Sequence, residues 1–207
     1  MRIIACTGFK GGCAKSTTSI HVATYFSDRA KVLLIDCDPN KTCIDWGNRG
    51  SLPFIVAEEK KAIRLIPKHD LIVIDTPARP GTDDLKELVE DSDLLILPTM
   101  PDILSLQPML QTAKDLQGID ATAKYRALVC ACPPPPNTDG KTMITDLQDA
   151  GIPAFKTTIR RTVGFPKAAL EGVPIRDLKD SRSRLGWLDY QALGKEIEEI
   201  WASSGQQ

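Results

Sequence analysis

The stretch GFKGGCAKST (8–17) gathers three glycines, two lysines and two hydroxyls between an apolar run and a helix-like one. A strand–loop–helix turn leaves backbone N–H groups unpaired and points a helix N-terminus at an anion. Gly11 and Gly12, lacking Cβ, let the backbone wrap close to phosphate oxygens. Lys15 suits contact with β- and γ-phosphates, and Ser16 suits ligation of Mg²⁺. The stretch nevertheless departs from G-x-x-x-x-G-K-[ST]. Counted back from Lys15, the pattern's glycines should fall at Phe9 and Ala14, and an additional lysine, Lys10, sits inside. A glycine-containing turn with two chance lysines is the plain alternative, so the surrounding residues must decide.

Two further stretches supply carboxylates. KVLLIDCD (31–38) ends in Asp36 and Asp38, and residues two apart on a strand project to the same side. DLIVIDTPA (70–78) is an apolar run that reaches Asp75, the place for a carboxylate that binds Mg²⁺ through water. Each aspartate alone reads equally as a cap after a strand. Together, at the ends of two strands and beside a loop after a third, they point to a nucleotide with Mg²⁺.

The elements that must hold these residues alternate along the chain. Strands are expected at 2–8, 31–38, 70–78, 93–100, 125–133 and 152–159. Helices are expected at 15–29, 83–92, 102–117 with Pro108 as a kink or start, 141–150 and 187–203. In the last, Leu188, Leu193, Ile197, Ile200 and Trp201 fall near one face, and Trp187 and Trp201 are expected to pack in the core. Near-continuous apolar strands interleaved with helices imply an α/β fold, a mostly parallel twisted sheet covered on both faces. The 207 residues make one domain. PPPP (133–136) reads as a stiff loop at a strand's carboxyl end, where open parallel sheets bind ligands.

Composition excludes other classes. A formal net charge of −1 announces no general affinity for nucleic acid, and 42% hydrophobic residues argue against disorder. No apolar run reaches the roughly 18 residues that span a bilayer. Cys6, Cys13, Cys37, Cys43, Cys130 and Cys132 form no C-x-x-C pair, so reduced, mostly buried thiols in a cytoplasmic protein are expected. A metal site on Cys130 and Cys132 lacks a second ligand pair.

KGGCAKST (10–17) resembles the deviant phosphate loop of the ParA/MinD superfamily of P-loop NTPases, K-G-G-x-G-K-[ST]-T. LLIDCDPN (33–40) resembles its second motif, usually ending D-x-D-P-Q, and LIVIDTPA (71–78) resembles its Walker B. VGFPKAALEGVPIRD (163–177) is similar to a late segment of the family. The chain looks like the short ParA-type proteins without an N-terminal helix-turn-helix domain, such as ParF-like plasmid-partition and McdA carboxysome-positioning ATPases. The resemblance implies that Lys10 reaches across an ATP-bound homodimer to the partner's phosphates. It implies that Asp38 positions the attacking water and that Asp36 supports the Mg²⁺ shell with Ser16 and Asp75. Gly11, Gly12, Cys13, Ala14, Lys15, Ser16 and Thr17 would cradle the phosphates, with adenine near Pro133. Ala14 and Asn40 depart from the family's glycine and glutamine, and Ala14 is costly only where φ is positive.

Residues 156–184 carry eight cations against three acids, a net +5. A solvated face with scattered pairs is the plain reading. The resemblance implies nonspecific double-stranded DNA binding, with Arg160, Arg161, Lys167, Lys179, Arg182 and Arg184 as candidates and nucleoid association as the consequence. It also implies a ParB-like or McdB-like adaptor that stimulates hydrolysis. The tail KEIEEIWASSGQQ (195–207) is acidic on its polar side, against a membrane-surface helix. A dethiobiotin-synthetase-like ligase and an Fe–S carrier remain as alternatives of other classes.

Overall fold

The computed structural model describes residues 1–8 and 10–204. Phe9, one of the two pattern-glycine positions, and the end of the tail at 205–207 lie outside the described residues. Along the chain come β1 (Arg2–Cys6), α1 (Lys15–Phe26), β2 (Val32–Asp36), α2 (Thr42–Arg49), β3 (Ile55–Glu58), α3 (Glu59–Ala62) and β4 (Leu71–Asp75). There follow α4 (Thr82–Asp91), β5 (Leu94–Thr99), α5 (Ile103–Gly118), β6 (Tyr125–Val129), α6 (Asp139–Asp149), α7 (Gly164–Glu171) and α8 (Ser181–Ser204). The strands form a six-stranded sheet in the order β3-β2-β4-β1-β5-β6, parallel throughout.

Side-chain alternation sorts the strands' residues between two layers. Ile4, Cys6, Leu34, Val73 and Ile96 pack with α1, α2, α7 and α8, whereas Ala5, Leu95, Leu97, Ala127 and Val129 pack with α4, α5 and α6. A smaller cluster of Leu33, Ile35, Ala57 and Ile72 closes against Ala62 of α3. Because both faces are covered, β2 and β5 are buried along their whole length. Helix α1 is buried almost all round, since α8 crosses close over it. Gly194 makes that crossing possible: a Cβ there would overlap the Tyr25 ring.

Most expected elements form where the apolar pattern places them. The segment 152–159 does not form a strand. It runs beside β6, with Ala127 N–H donating to Pro153 O at 2.8 Å and Phe155 N–H to Ala127 O at 2.9 Å. The ladder then breaks because Glu196 of α8 accepts the N–H groups of Lys156 and Thr157 at 2.7 and 3.0 Å. A carboxylate from a distant helix thus takes the donors that a strand would need, and only isolated bridges remain. Elements α2, β3, α3 and α7 are absent from the pattern reading. In α2 only Cys43 and Trp46 are buried, too few for a period to register. Pro108 lies inside α5 rather than starting it; Asp102 caps that helix by accepting Ser105 N–H. In α8, Leu193 and Ile197 are buried, Ile200 and Trp201 pack at the core's edge, and Leu188 is exposed. Trp187 is half-buried under the Arg176 guanidinium.

His21 ties α1 to the short turn at Ile175–Asp177. Its Nδ1 donates to Thr17 O at 2.7 Å and its Nε2 accepts Ile175 N–H at 3.1 Å, which fixes the neutral tautomer. The ring stacks on Tyr190 and meets Trp46 and Phe165 edge-on. Burial lowers its pKa from 6.5 to about 4. The unfolded chain therefore takes up the proton first, and His21's contribution, complete above pH 6.5, is lost as pH falls through 4. Urea unfolding at pH 6.5 and pH 4 should show that the change on acidification lies further toward loss in the parent than in His21→Gln.

Candidate active site

The loop between β1 and α1 is built for anions at its backbone. Ala14 caps α1 in the left-handed region (φ 74, ψ 21) and offers no side-chain cap, so the first N–H groups of α1 remain unclaimed by any cap. Gly12 is also left-handed, at φ +78. The departure from glycine at position 14 therefore falls where φ is positive, and the loop carries the strain of a Cβ there, roughly 1–2 kcal/mol. Lys15 is only 6% exposed. Its ammonium donates to Lys10 O at 3.3 Å, and no carboxylate pairs with it among the described residues.

Behind Ser16 lies the complementary case. Asp75 is fully buried at the end of β4, in register with Cys6 of β1 and Asp36 of β2. Ser19 donates to one carboxylate oxygen at 3.0 Å, Cys43 Sγ to the other at 3.3 Å, and the Ser16 hydroxyl also bonds the group. Burial raises its pKa to about 6 despite these donors. A buried lysine without a carboxylate and a buried carboxylate without a cation are each costly alone. On either side of Ser16 they fit a phosphate chain and a divalent cation.

Asp36 and Asp38 part company. Strand β2 ends at Asp36, so the alternation that would pair them stops there. Asp36 accepts Asp38 N–H at 3.1 Å on one oxygen and Ile44 N–H at 3.0 Å on the other. With each oxygen accepting one backbone amide, it shapes the β2–α2 turn; it does not line the cavity but lies in register with Asp75. Asp38 does line it, held by Asn40 N–H on Oδ1 at 2.8 Å.

A cavity of about 470 Å³ opens over the loop. Gly11, Gly12, Ala14, Lys15, Ser16 and Thr17 form one side, Asp38, Asn40 and Thr42 the next, and Ile159, Arg161, Thr162, Phe165 and Pro166 the far end. Cys13 is buried and does not line this cavity; its thiol donates to Lys10 O at 3.1 Å. Ile159, Phe165 and Pro166 give this part of the lining apolar surface, which suits an aromatic base. Pro133 is not part of it; it lines a neighbouring cavity of about 310 Å³ with Pro134 and Pro135. Of the residues at the far end, only Phe165 and Pro166 fall in the late segment 163–177 that the family resemblance covered. No signal in the sequence marked Cys43 and Ser19, which hold Asp75.

Lys10 leaves the cavity and donates to Ser105 Oγ at 3.0 Å. Among the basic candidates, Arg160 is engaged by Asp189 through its side chain and its backbone N–H. Lys167 lies 3.9 Å from Glu171. The side chains of Arg161, Lys179, Arg182 and Arg184 are exposed and join no ion pair among the described residues. The cysteines are unpaired, and no cluster able to hold a metal is found among the described residues. No described helix is long and apolar enough to cross a membrane.

The CobQ/CobB/MinD/ParA nucleotide-binding-domain profile matches residues 4–175. The chain belongs to this family. It is 30% identical to a maintenance of carboxysome distribution protein A of Gloeobacter kilaueensis, covering 97% of this chain and 95% of that one. Its fold matches a plasmid partition protein of Borrelia burgdorferi bound to AMPPNP, with TM-score 0.69 and 19% identity over 98% of this chain and 99% of that one. It matches MinD in the MinC:MinD complex of Aquifex aeolicus with TM-score 0.73 and 17% identity over 96% of each chain. In ParA/MinD terms, the deviant loop and the Asp38 turn line one cavity, and Asp75 at the end of β4 is buried behind it.

Two outcomes follow from the loop and from Asp75. Ala14→Gly should raise stability by about 1 kcal/mol, because relief of the left-handed Cβ exceeds the added freedom of the unfolded chain; urea midpoints measure it. Asp75 has a folded pKa near 6 against 3.8 unfolded, so the native state holds the proton more tightly. Stability from this group is full below pH 3.8 and falls as pH rises through 6. Ligand-free Asp75→Asn should therefore match the parent below about pH 4 and exceed it by roughly 3 kcal/mol at pH 8.

Proposed function

We propose that this protein is an ATPase that dimerises on ATP, binds double-stranded DNA without sequence preference, and positions a cargo through an adaptor protein. The observation that carries the reading is the pair of uncompensated buried charges, Lys15 and Asp75, on either side of Ser16. The α1 N-terminus and Lys15 would bind the β- and γ-phosphates, and the far end of the cavity would take the base. Mg²⁺, held by Ser16 and through water by Asp75, would neutralise charge on the phosphoryl oxygens. Asp38, fixed by Asn40 N–H and facing the cavity, orients the attacking water. Lys10 from a second subunit supplies a cation to the transferring group, the electrostatic role of an arginine finger.

Arg161, Lys179, Arg182 and Arg184 support the DNA reading, since two-fold symmetry would double their number on the dimer. Binding should weaken steeply with salt. The full-length match to a carboxysome-distribution relative favours a protein compartment as cargo, and the Borrelia neighbour keeps a plasmid as the other possibility. The 30% identity to that relative disfavours a metabolic ligase of this fold.

Asp38→Ala should bind ATP but hydrolyse it at least 100-fold more slowly, and so accumulate a DNA-bound dimer. Lys15→Ala should lose ATP binding. Light scattering and DNA filter binding with ATP check both. An Asp38→Ala protein that stays monomeric with ATP sinks the positioning reading, and ATP turnover driven by a small metabolite instead of DNA plus adaptor favours the ligase.

A further inference from the structure

Lys10 is held at two points by different groups. Its ammonium donates to Ser105 Oγ at 3.0 Å, outside the nucleotide cavity. Ser105 gives its own proton to Asp102 Oδ2 at 2.9 Å, so its lone pairs are what Lys10 meets. Asp102 Oδ1 accepts Ser105 N–H at 2.9 Å, which locks the serine at the first turn of α5. Ser105 is buried, while Ile103 and Leu104 beside it are exposed. The second attachment is on the main chain: Lys10 O accepts Lys15 Nζ at 3.3 Å and Cys13 Sγ at 3.1 Å.

These attachments answer to different events. A phosphate chain in the cavity competes with Lys10 O for the Lys15 ammonium, and a charged acceptor wins over a neutral carbonyl. Nucleotide therefore loosens the Lys10 backbone and leaves the side chain on Ser105. A lysine parked there serves neither its own subunit's phosphates nor the partner's until that bond also breaks. Each dimer must break two such bonds.

We propose that Asp102 and Ser105 are positioning residues. They hold Lys10 away from its own phosphate site and set the nucleotide concentration at which the lysine is released to a partner subunit. This rests on the cross-subunit role of Lys10 given above. The geometry makes the ATP-free monomer a held state, and not only one that lacks a ligand.

Ser105→Ala removes the hydroxyl and keeps the Asp102 cap on Ser105's backbone position. Titrating AMPPNP with Mg²⁺ into the full chain, followed by light scattering, should show the dimerisation midpoint falling on the order of tenfold. AMPPNP affinity measured at protein concentrations too low for dimerisation, and the urea midpoint, should stay as in the parent. Ser105→Thr, which keeps the hydroxyl, should keep the parent midpoint. Asp102→Asn retains the cap acceptor and should shift the midpoint the same way by less, which provides the test where Ser105→Ala fails to fold. An unchanged or raised midpoint in Ser105→Ala overturns the proposal, as does a Ser105→Thr shift equal to that of alanine. Lys10→Ala separates the two levels. If it dimerises like the parent, the cross-subunit role falls and the berth with it. If dimerisation needs Lys10 but ignores Ser105→Ala, the berth alone falls.

Discussion

The structure turns on one unpaired charge. Lys15 sits almost wholly buried at the N-terminus of α1, with a neutral carbonyl as its hydrogen-bond acceptor. In a low-dielectric setting an ammonium without a counter-charge is expensive, and its cost is relieved only when an anion arrives. The rest of the domain holds that lysine in place. The parallel sheet fixes the end of β1, the layer of α2, α7 and α8 hides α1, and the loop backbone turns its amides the same way. Stability is spent at the point where ligand binding returns it.

Asp75 extends the same logic with the opposite sign. Its burial opposes ionisation, and its donors are a serine, a second serine and a thiol, none of them a cation. His21, on α1, titrates the other way. The two groups oppose each other in their effect on stability between about pH 4 and 6.5. Ala14 adds conformational strain to this electrostatic strain, at the residue where the loop passes into α1.

Much of the fold was legible because parallel strands buried on both faces write continuous apolar runs, and β1, β2, β4, β5 and β6 did so. Short elements with one or two anchors, such as α2 and β3, write too little to be read. The segment at 152–159 reads as a strand and is diverted by Glu196, more than 30 residues away in sequence. At the site, the residue types of the loop and of the strand ends were readable. The supporting Cys43 and Ser19 were not, since nothing in their neighbours marks a group that will face a carboxylate.

The amino-acid sequence by itself determined the α/β class, the phosphate loop, the carboxylate-bearing strand ends and the family, because these depend on local patterns and fixed spacings. Tertiary structure alone decided that position 14 is left-handed, since φ is set by how the loop joins β1 to a buried helix. It alone separated Asp36 from Asp38, because the strand ends between them and the turn's amides claim one of the two. It took Arg160 for Asp189, put Pro133 beside the cavity instead of in it, and laid Lys10 on Ser105. Each of these depends on which distant group reaches a side chain first, and that is a property of the packed chain.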